Sequence, residues 1–322
     1  MTATPCRLDG LGLQPFCDAL VLGPQISEVV PDYLCRAELF EIPPNIDLKE
    51  LRGSGRDYSQ KRLGAMQTGP VIADAVKNWR RLAYDRRTLF FAVDINHSKS
   101  IVERLRSIGV SAEHVDFKTS NREAILERYQ SGATQCLSNV ELFTEGVDAP
   151  ATNCIVHARP TLSLTLYRQM NGRGFRKKDD GGDLVVVDCA GNSAYHGHPM
   201  ADIIWELEHG VDEEARKSAA ATHRRCENCD YVFVRTLHAC PLCGVEPFRE
   251  GVSEVDIDLE SAGAPSPEPL KPTRREISRR VMATGGDGDK LEELRKEYGY
   301  HPQWTKRMKD IYRFAWPRGA QT

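Results

Sequence analysis

Two groups of residues in this 322-residue sequence have the types and spacing to do chemistry. The first is Gln169-Met170-Asn171-Gly172-Arg173-Gly174-Phe175-Arg176, in which two arginines stand three positions apart. At the start of a helix such a pair would share one face and converge on a single polyanion. Arginine suits that task because its guanidinium stays charged and forms forked hydrogen bonds with phosphate oxygens. The bland alternative is a solvated basic turn. The second group is Cys226-x-x-Cys229, then ten residues, then Cys240-x-x-Cys243. Each pair can form a knuckle, and four thiolates at ~2.3 Å close a tetrahedral shell around one zinc ion, which makes a structural and not a catalytic site. Redox-active Cys-x-x-Cys pairs are the competing reading, but two pairs at ribbon spacing favour zinc.

The elements that must position these groups follow from periodicity. Thr88-Leu89-Phe90-Phe91-Ala92-Val93 is a continuous apolar run of strand length, as expected of a strand covered on both faces. Residues 113–117, 135–140, 153–158 and 183–189 supply further strands. Helices are expected over 71–84, over 98–108 with Gly109 as a stop, from a Ser120-Asn121-Arg122-Glu123 capping box to Gly132, and over 164–170. Strand and helix alternate, which implies an α/β fold built on a parallel sheet with functional loops at the carboxyl ends of its strands. The alternating Tyr231-Val232-Phe233-Val234 reads as a short hairpin strand between the cysteine pairs.

Composition sets broad limits. Apolar residues make up 40% and charged residues 28%, with a net charge of -3. No apolar run approaches the ~20 residues of a membrane helix, and no signal peptide is visible at the start, so a cytoplasmic protein without membrane attachment is expected. Six other cysteines, Cys6, Cys17, Cys35, Cys136, Cys154 and Cys189, stand apart in apolar surroundings and read as buried thiols of a reducing compartment.

Thr144-Glu145-Gly146-Val147-Asp148-Ala149-Pro150, followed by the Gln169 to Arg176 segment, resembles motifs V and VI of superfamily 2 helicases, the two-lobed nucleic-acid-dependent ATPases. Thr2-Ala3-Thr4-Pro5 resembles motif III of the same family. The resemblance implies a RecA-like C-terminal lobe in which Arg173 and Arg176 reach the γ-phosphate of ATP bound on the other lobe. It places Gly146, Asp148, Gln169 and Gly172 near the nucleotide, and Thr2, Thr4 and Thr144 on the nucleic-acid path. Asn139, at the end of its strand just before motif V, is placed to touch the nucleic acid, or else to cap the turn. Asp116-Phe117-Lys118-Thr119 resembles the family's Asp-Gly-x-Thr, with Lys118 and Thr119 as phosphate contacts; Phe117 replaces the usual glycine. His97, in the motif IV region, reads equally as a surface helix-start residue or a functional one. No Gly-x-x-x-x-Gly-Lys-Ser/Thr occurs in the sequence, so ATP and Mg²⁺ would be shared with a missing N-terminal lobe. The chain alone would then be inactive, as a fragment or one half of a split helicase.

The expected organisation is a first-lobe remnant over 1–52 with exposed sheet edges, an interlobe connection over 53–69, the RecA-like lobe over 70–212, a zinc ribbon over 222–247, a flexible linker over 248–285 and a helical tail over 286–320. From Lys271 to Arg318 there are 13 Lys/Arg against 7 Asp/Glu, interleaved with Tyr298, Tyr300, Trp304, Tyr312, Phe314 and Trp316. That mixture suits phosphate neutralisation with base stacking, and equally a small helical hairpin with aromatic core. Together with the ribbon it resembles the C-terminal module of RadD-like helicases, which implies DNA, repair or replication, and a single-strand-binding protein as partner. The alternative is a non-catalytic, zinc-ribbon nucleic-acid-binding or adaptor protein.

Overall fold

The apolar runs become strands of one parallel sheet. The computed structural model describes residues 4–7, 11–30, 32–44, 48, 57–59, 63, 69–140, 151–178, 182–211, 214, 217, 221–246, 287–297 and 305. Among them the sheet comprises β1 (Ala37–Glu41), β2 (Thr88–Phe91), β3 (Ala112–Val115), β4 (Cys136–Asn139), β5 (Cys154–His157) and β6 (Leu184–Asp188), in the spatial order β1-β6-β5-β2-β4-β3. Every neighbouring pair is parallel. Each residue of β2, β4, β5 and β6 is buried, as the unbroken apolar runs require of strands covered on both faces.

The helices are α1 (Ile26–Val29), α2 (Gly69–Ala83), α3 (Ile95–Ser107), α4 (Arg122–Ser131), α5 (Leu164–Gly172) and α6 (Asn192–His196). Of these, α2, α3, α4 and α5 cover the sheet in two layers, because successive strand residues point to opposite faces. Leu89 and Phe91 share a core with Ile125 and Tyr129 of α4 and with Leu166 and Met170 of α5. Phe90 points the other way and meets Trp79 of α2 edge-on at 5.9 Å, where the indole N–H donates to Thr88 Oγ1 at 2.8 Å.

Two units make up the chain, residues 1–225 with 230–236, and residues 226–229 with 237–322. The first also holds two antiparallel pairs, β7 (Trp205–Glu206) with β8 (Gly210–Val211), and β9 (His223–Arg225) with β10 (Val232–Val234). The expected hairpin strand at 231–234 therefore forms. The second contains the four cysteines and α7 (Gly288–Glu297), on which Leu291 and Leu294 are buried. The proposed linker and the tail aromatics lie outside the described residues. Among the described residues no helix is long and apolar enough to cross a membrane.

Three local expectations need correction. The strand at 37–41 does not stand unpaired; it joins this sheet as an edge strand beside β6, and its outer side meets Tyr231 through a bridge from Phe40 and a hydrogen bond from Glu41 N–H to Asp230 O. The Ser120 capping box is not made. Asn121 stands at the N-cap without a side-chain bond, because the preceding residues are held in a turn by Asp116. His97 is not a surface residue; it is 3% exposed, its N–H capped by Asp94 Oδ1 at 2.8 Å and its Nδ1 accepting from Val93 N–H.

Burial lowers the pKa of His97 from 6.5 to about 4, against the opposing pull of Asp94. The unfolded chain therefore binds the extra proton first as pH falls, and stability is lost between about pH 6.5 and 4. Denaturant titrations should show the folded state weakening across that window, and His97→Gln should flatten the slope.

Candidate functional site

The carboxylate of Asp188, at the end of β6, is completely buried. Its Oδ1 accepts from Ala190 N–H at 3.0 Å, and its Oδ2 accepts from the N–H and the hydroxyl of Ser193, each at 2.6 Å. A buried carboxylate needs such donors, and here they fold the chain into α6 directly after the strand. From α6, Asn192 Oδ1 accepts from Thr161 N–H at 2.8 Å and Asn192 Nδ2 donates to Arg159 O at 2.9 Å. His196 Nε2 lies 2.9 Å from Thr161 O, and Asp57 accepts from Thr161 Oγ1 and Leu162 N–H, both at 2.7 Å. The loop from β5 is thereby fixed, and Ser163 caps the start of α5. Tyr167 on that helix stacks on His196 at 4.9 Å and donates to Gly197 O at 2.9 Å.

Helix α5 then runs back across the sheet, and the arginines come at its far end. Gln169 is half-buried within it and Gly172 is its exposed last residue. Arg173 is the C-cap, half-buried, and Arg176 is exposed on extended backbone bridged to Leu34. The two arginines therefore do not share a face at a helix start. The start was fixed earlier by Ser163, and the glycines at 172 and 174 end the helix between them. Their position is also unexpected. Cys35 N–H donates to Phe175 O at 2.9 Å, and a Cβ on Gly174 would lie 2.8 Å from Leu184 Cδ2 and 3.0 Å from Ile155 Cδ1. Since Leu184 opens β6, the arginine segment sits at the amino ends of β1 and β6, not at the carboxyl ends expected of functional loops.

The turn at 116–119 does lie at a carboxyl end, that of β3. Asp116 Oδ1 accepts from Lys118 N–H at 3.0 Å and from Thr119 Oγ1 at 2.7 Å, while its own N–H donates to Thr119 Oγ1 at 3.0 Å. Burial would raise the Asp116 pKa, but the hydrogen bond from Thr119 and the nearby His114 outweigh it and hold the carboxyl below its usual range. Lys118 is exposed and Thr119 half-buried. Asn139 ends β4 opposite Val115, yet its side chain is fully buried and Nδ2 braces Phe90 O at 2.9 Å. Thr4 is buried two residues before Cys6, whose thiol lies 2.9 Å from Thr165 Oγ1 of α5. Thr2, Thr144, Gly146 and Asp148 lie outside the described residues.

The four cysteines converge. All four Sγ atoms lie within 4.8 Å of one another, with Cys226 and Cys243 at 3.5 Å and Cys229 and Cys240 at 3.7 Å. A tetrahedron with ~2.3 Å Zn–S bonds has edges of about 3.8 Å, so the donor set fits one zinc ion. Gly244, at φ 76°, turns the second knuckle back and donates its N–H to Cys240 O at 2.8 Å. Hydrogen bonds among the four thiols lower Cys226 and Cys243 and raise Cys240, so the cluster titrates as one unit.

Sequence reasoning missed Asp188, Asn192, Ser193 and the carboxylate role of Asp116. The signal for Asp188 was a carboxylate closing the apolar run Leu-Val-Val-Val, a position where burial is assured and a donor-rich turn must follow.

Residues 72–178 match the family model described as Helicase conserved C-terminal domain. The chain is 26% identical over 247 residues to a 51.5 kDa protein of a Lactococcus phage, covering 76% of this chain and 54% of that one. It is 29% identical over 200 residues to IRC3 of Saccharomyces cerevisiae, whose name assigns it provisionally to the ATP-dependent helicases, covering 60% and 29%. The chain thus spans about half or less of the length of these relatives. Among solved structures, a fragment described as a candidate HsdR subunit of a type I restriction enzyme from Vibrio vulnificus YJ016 is 22% identical with a TM-score of 0.47, covering 62% of this chain and 42% of that one.

Gly174 offers a direct check on how the arginine segment is held. Leu184 and Ile155 are fully buried, so a methyl group at 174 has no free volume to enter. Gly174→Ala should cost about 1–3 kcal/mol, the usual penalty of overpacking, read as a lower urea midpoint with unchanged m-value.

Proposed function

We propose, for a chain whose residues 72–178 match the helicase conserved C-terminal domain, that it is part of a superfamily 2 helicase and supplies the arginine half of a composite ATP site and part of a nucleic-acid path. The observation that carries this reading is the Gln169 to Arg176 segment. It falls inside the matched domain, its glycine is pressed onto the sheet, and its two arginines follow a helix whose start is locked by α6. Arg173 and Arg176 act on a γ-phosphate held elsewhere, neutralising charge as the phosphoryl group is transferred. ATP and Mg²⁺ are held by a phosphate-loop lobe, which these 322 residues do not contain. Gln169 and Gly172, with Gly146 and Asp148, complete the nucleotide side. Lys118 and Thr119 face the nucleic-acid backbone from the opposite end of the sheet, with Thr2, Thr4 and Thr144 along the same path. Asn139 contributes by bracing β2 against β4 and not by touching the strand.

The nucleic acid in this reading is DNA, and the process repair or replication in the cytoplasm, alongside a single-strand-binding protein. The order of helicase lobe, four-cysteine ribbon and basic aromatic tail supports a place near the RadD-like helicases. Zinc, held by Cys226, Cys229, Cys240 and Cys243, serves only to fold the ribbon.

Joined to a lobe that carries a phosphate loop, the chain should hydrolyse ATP with nucleic-acid stimulation, and Arg173→Ala or Arg176→Ala should lower kcat by about 10³–10⁵-fold. By itself it should show no turnover. Turnover in the joined protein that ignored both substitutions would remove the arginine reading. Metal analysis of the purified chain should find one zinc per molecule, lost in Cys240→Ser together with the protease resistance of the ribbon; a metal-free, protease-resistant ribbon would refute the zinc assignment.

A further inference from the structure

The turn after β3 displays one side chain that the fold leaves outside. Phe117 is 64% exposed, although Val115 and Asp116 just before it are buried. Its backbone is pinned on both sides. Thr119 N–H donates to Asp116 O at 3.2 Å, and the Asp116 carboxylate takes the Lys118 N–H and the Thr119 hydroxyl. Behind the turn His114 Nε2 lies 3.4 Å from Asp116 Oδ2, and His114 Nδ1 lies 2.7 Å from Ser98 Oγ, which donates to Ser138 Oγ at 2.7 Å. A buried polar chain thus runs from the interior of the sheet to the one residue that fixes the turn.

A single exposed phenylalanine is ordinary on a protein surface. Three features set this one apart. It stands on a turn braced from within the core, so little ordering entropy is lost when something binds it. Lys118 Nζ lies 5.4 Å from the ring centroid, which couples a positive charge to an aromatic face. Its neighbours Lys118, Ser120 and Asn121 are exposed and polar, so the apolar area is that of one ring, too small for a protein docking patch and the size of one base. The Val115–Asn139 register brings the turn out beside the carboxyl end of β4, the end assigned above to nucleic acid.

We propose that Phe117 is a stacking platform for one base of a single-stranded nucleic acid, with Lys118 meeting an adjacent phosphate. This rests on the nucleic-acid reading and adds to it a contact with a base. Phosphate contacts alone hold a backbone without regard to whether bases are present or paired, whereas a ring that must stack on an unpaired base selects single strands.

The test compares two fluorescent 20-mers, oligo-dT and an abasic strand with the same phosphates, binding to the full-length, zinc-loaded chain by anisotropy. Phe117→Ala and Phe117→Leu should each weaken oligo-dT binding about tenfold, within the range expected for loss of one stacked base, and leave the abasic strand unaffected. Phe117→Trp should bind oligo-dT at least as well as the parent. Lys118→Ala should weaken both strands alike and reduce the salt slope by about 0.7. Equal losses on both strands in Phe117→Ala, or no loss on either, would overturn the stacking assignment while leaving the nucleic-acid reading intact. Full binding by Phe117→Leu would also overturn it, since an aliphatic side chain has no π face. If the parent chain binds neither strand, both readings fall together.

Discussion

The fully buried carboxylate of Asp188 decides where the elements around it can sit. Water cannot reach it, so its charge must be met by protein donors, and all of those given by the structure come from Ala190 and Ser193. Meeting them forces an immediate turn into α6. Ser193 Oγ is also 2.9 Å from Glu41 Oε2, which ties the turn to the end of β1. The same charge, with burial as the larger cause, pushes the Cys189 thiol and the Tyr167 hydroxyl upward. His157, 3.9 Å away, stays neutral because burial outweighs the attraction of the carboxylate. One buried carboxylate therefore orders a region in which the Cys189 thiol, the Tyr167 hydroxyl and the His157 imidazole are all shifted toward their neutral forms.

From that region the geometry reaches outward through a rigid spacer. Helix α5 has 9 residues, about 13 Å at 1.5 Å per residue, close to the length of the short strands beneath it. Its start is held at the carboxyl end of the sheet by Ser163 and the Asn192-braced loop, and its last turn delivers Arg173 to the amino end. The Asp116 turn leaves the sheet at the carboxyl end. The two charged surfaces are thus separated by the length of the strands of a close-packed sheet, and any displacement of one relative to an outside partner carries the other along as a rigid body.

Much of the sheet could be read from the chain because a strand buried on both faces must be apolar throughout. Leu89 to Val93 and Leu184 to Val187 admit few other readings. The stops at Gly109 and Gly132 were equally legible, since both adopt positive φ. The cysteine spacing announced a four-thiol cluster for the same kind of reason, a local one. What could not be read was set by partners distant in sequence. Asn139 looks like a ligand contact until the neighbouring strand places Phe90 O beside its amide. His97 looks like a surface cap until Val93 and the sheet close over it. The Gly-Arg-x-x-Arg spacing suggested one helical face, but helix length is fixed at the other end by Ser163, and tertiary pairing with Leu34 pulls Arg176 into extended backbone. The capping box failed likewise, because Asp116 had already claimed the preceding turn.

Strand β1 pairs with β6 residue for residue, Ala37 with Leu184 through Glu41 with Asp188, although about 150 residues of chain lie between them. During synthesis at ~5–20 residues per second, roughly 7–30 s separate the appearance of the two strands at the ribosome. For that interval Leu39 and Phe40, both buried in the finished protein, lack their partner strand β6. The closure entropy of so long a loop must be met before the pairing gives anything in return. The order of assembly is therefore set by connectivity: strands β2 to β5 can associate as they emerge, and the β1 side is added last, when β6 arrives to bridge them to a segment made long before.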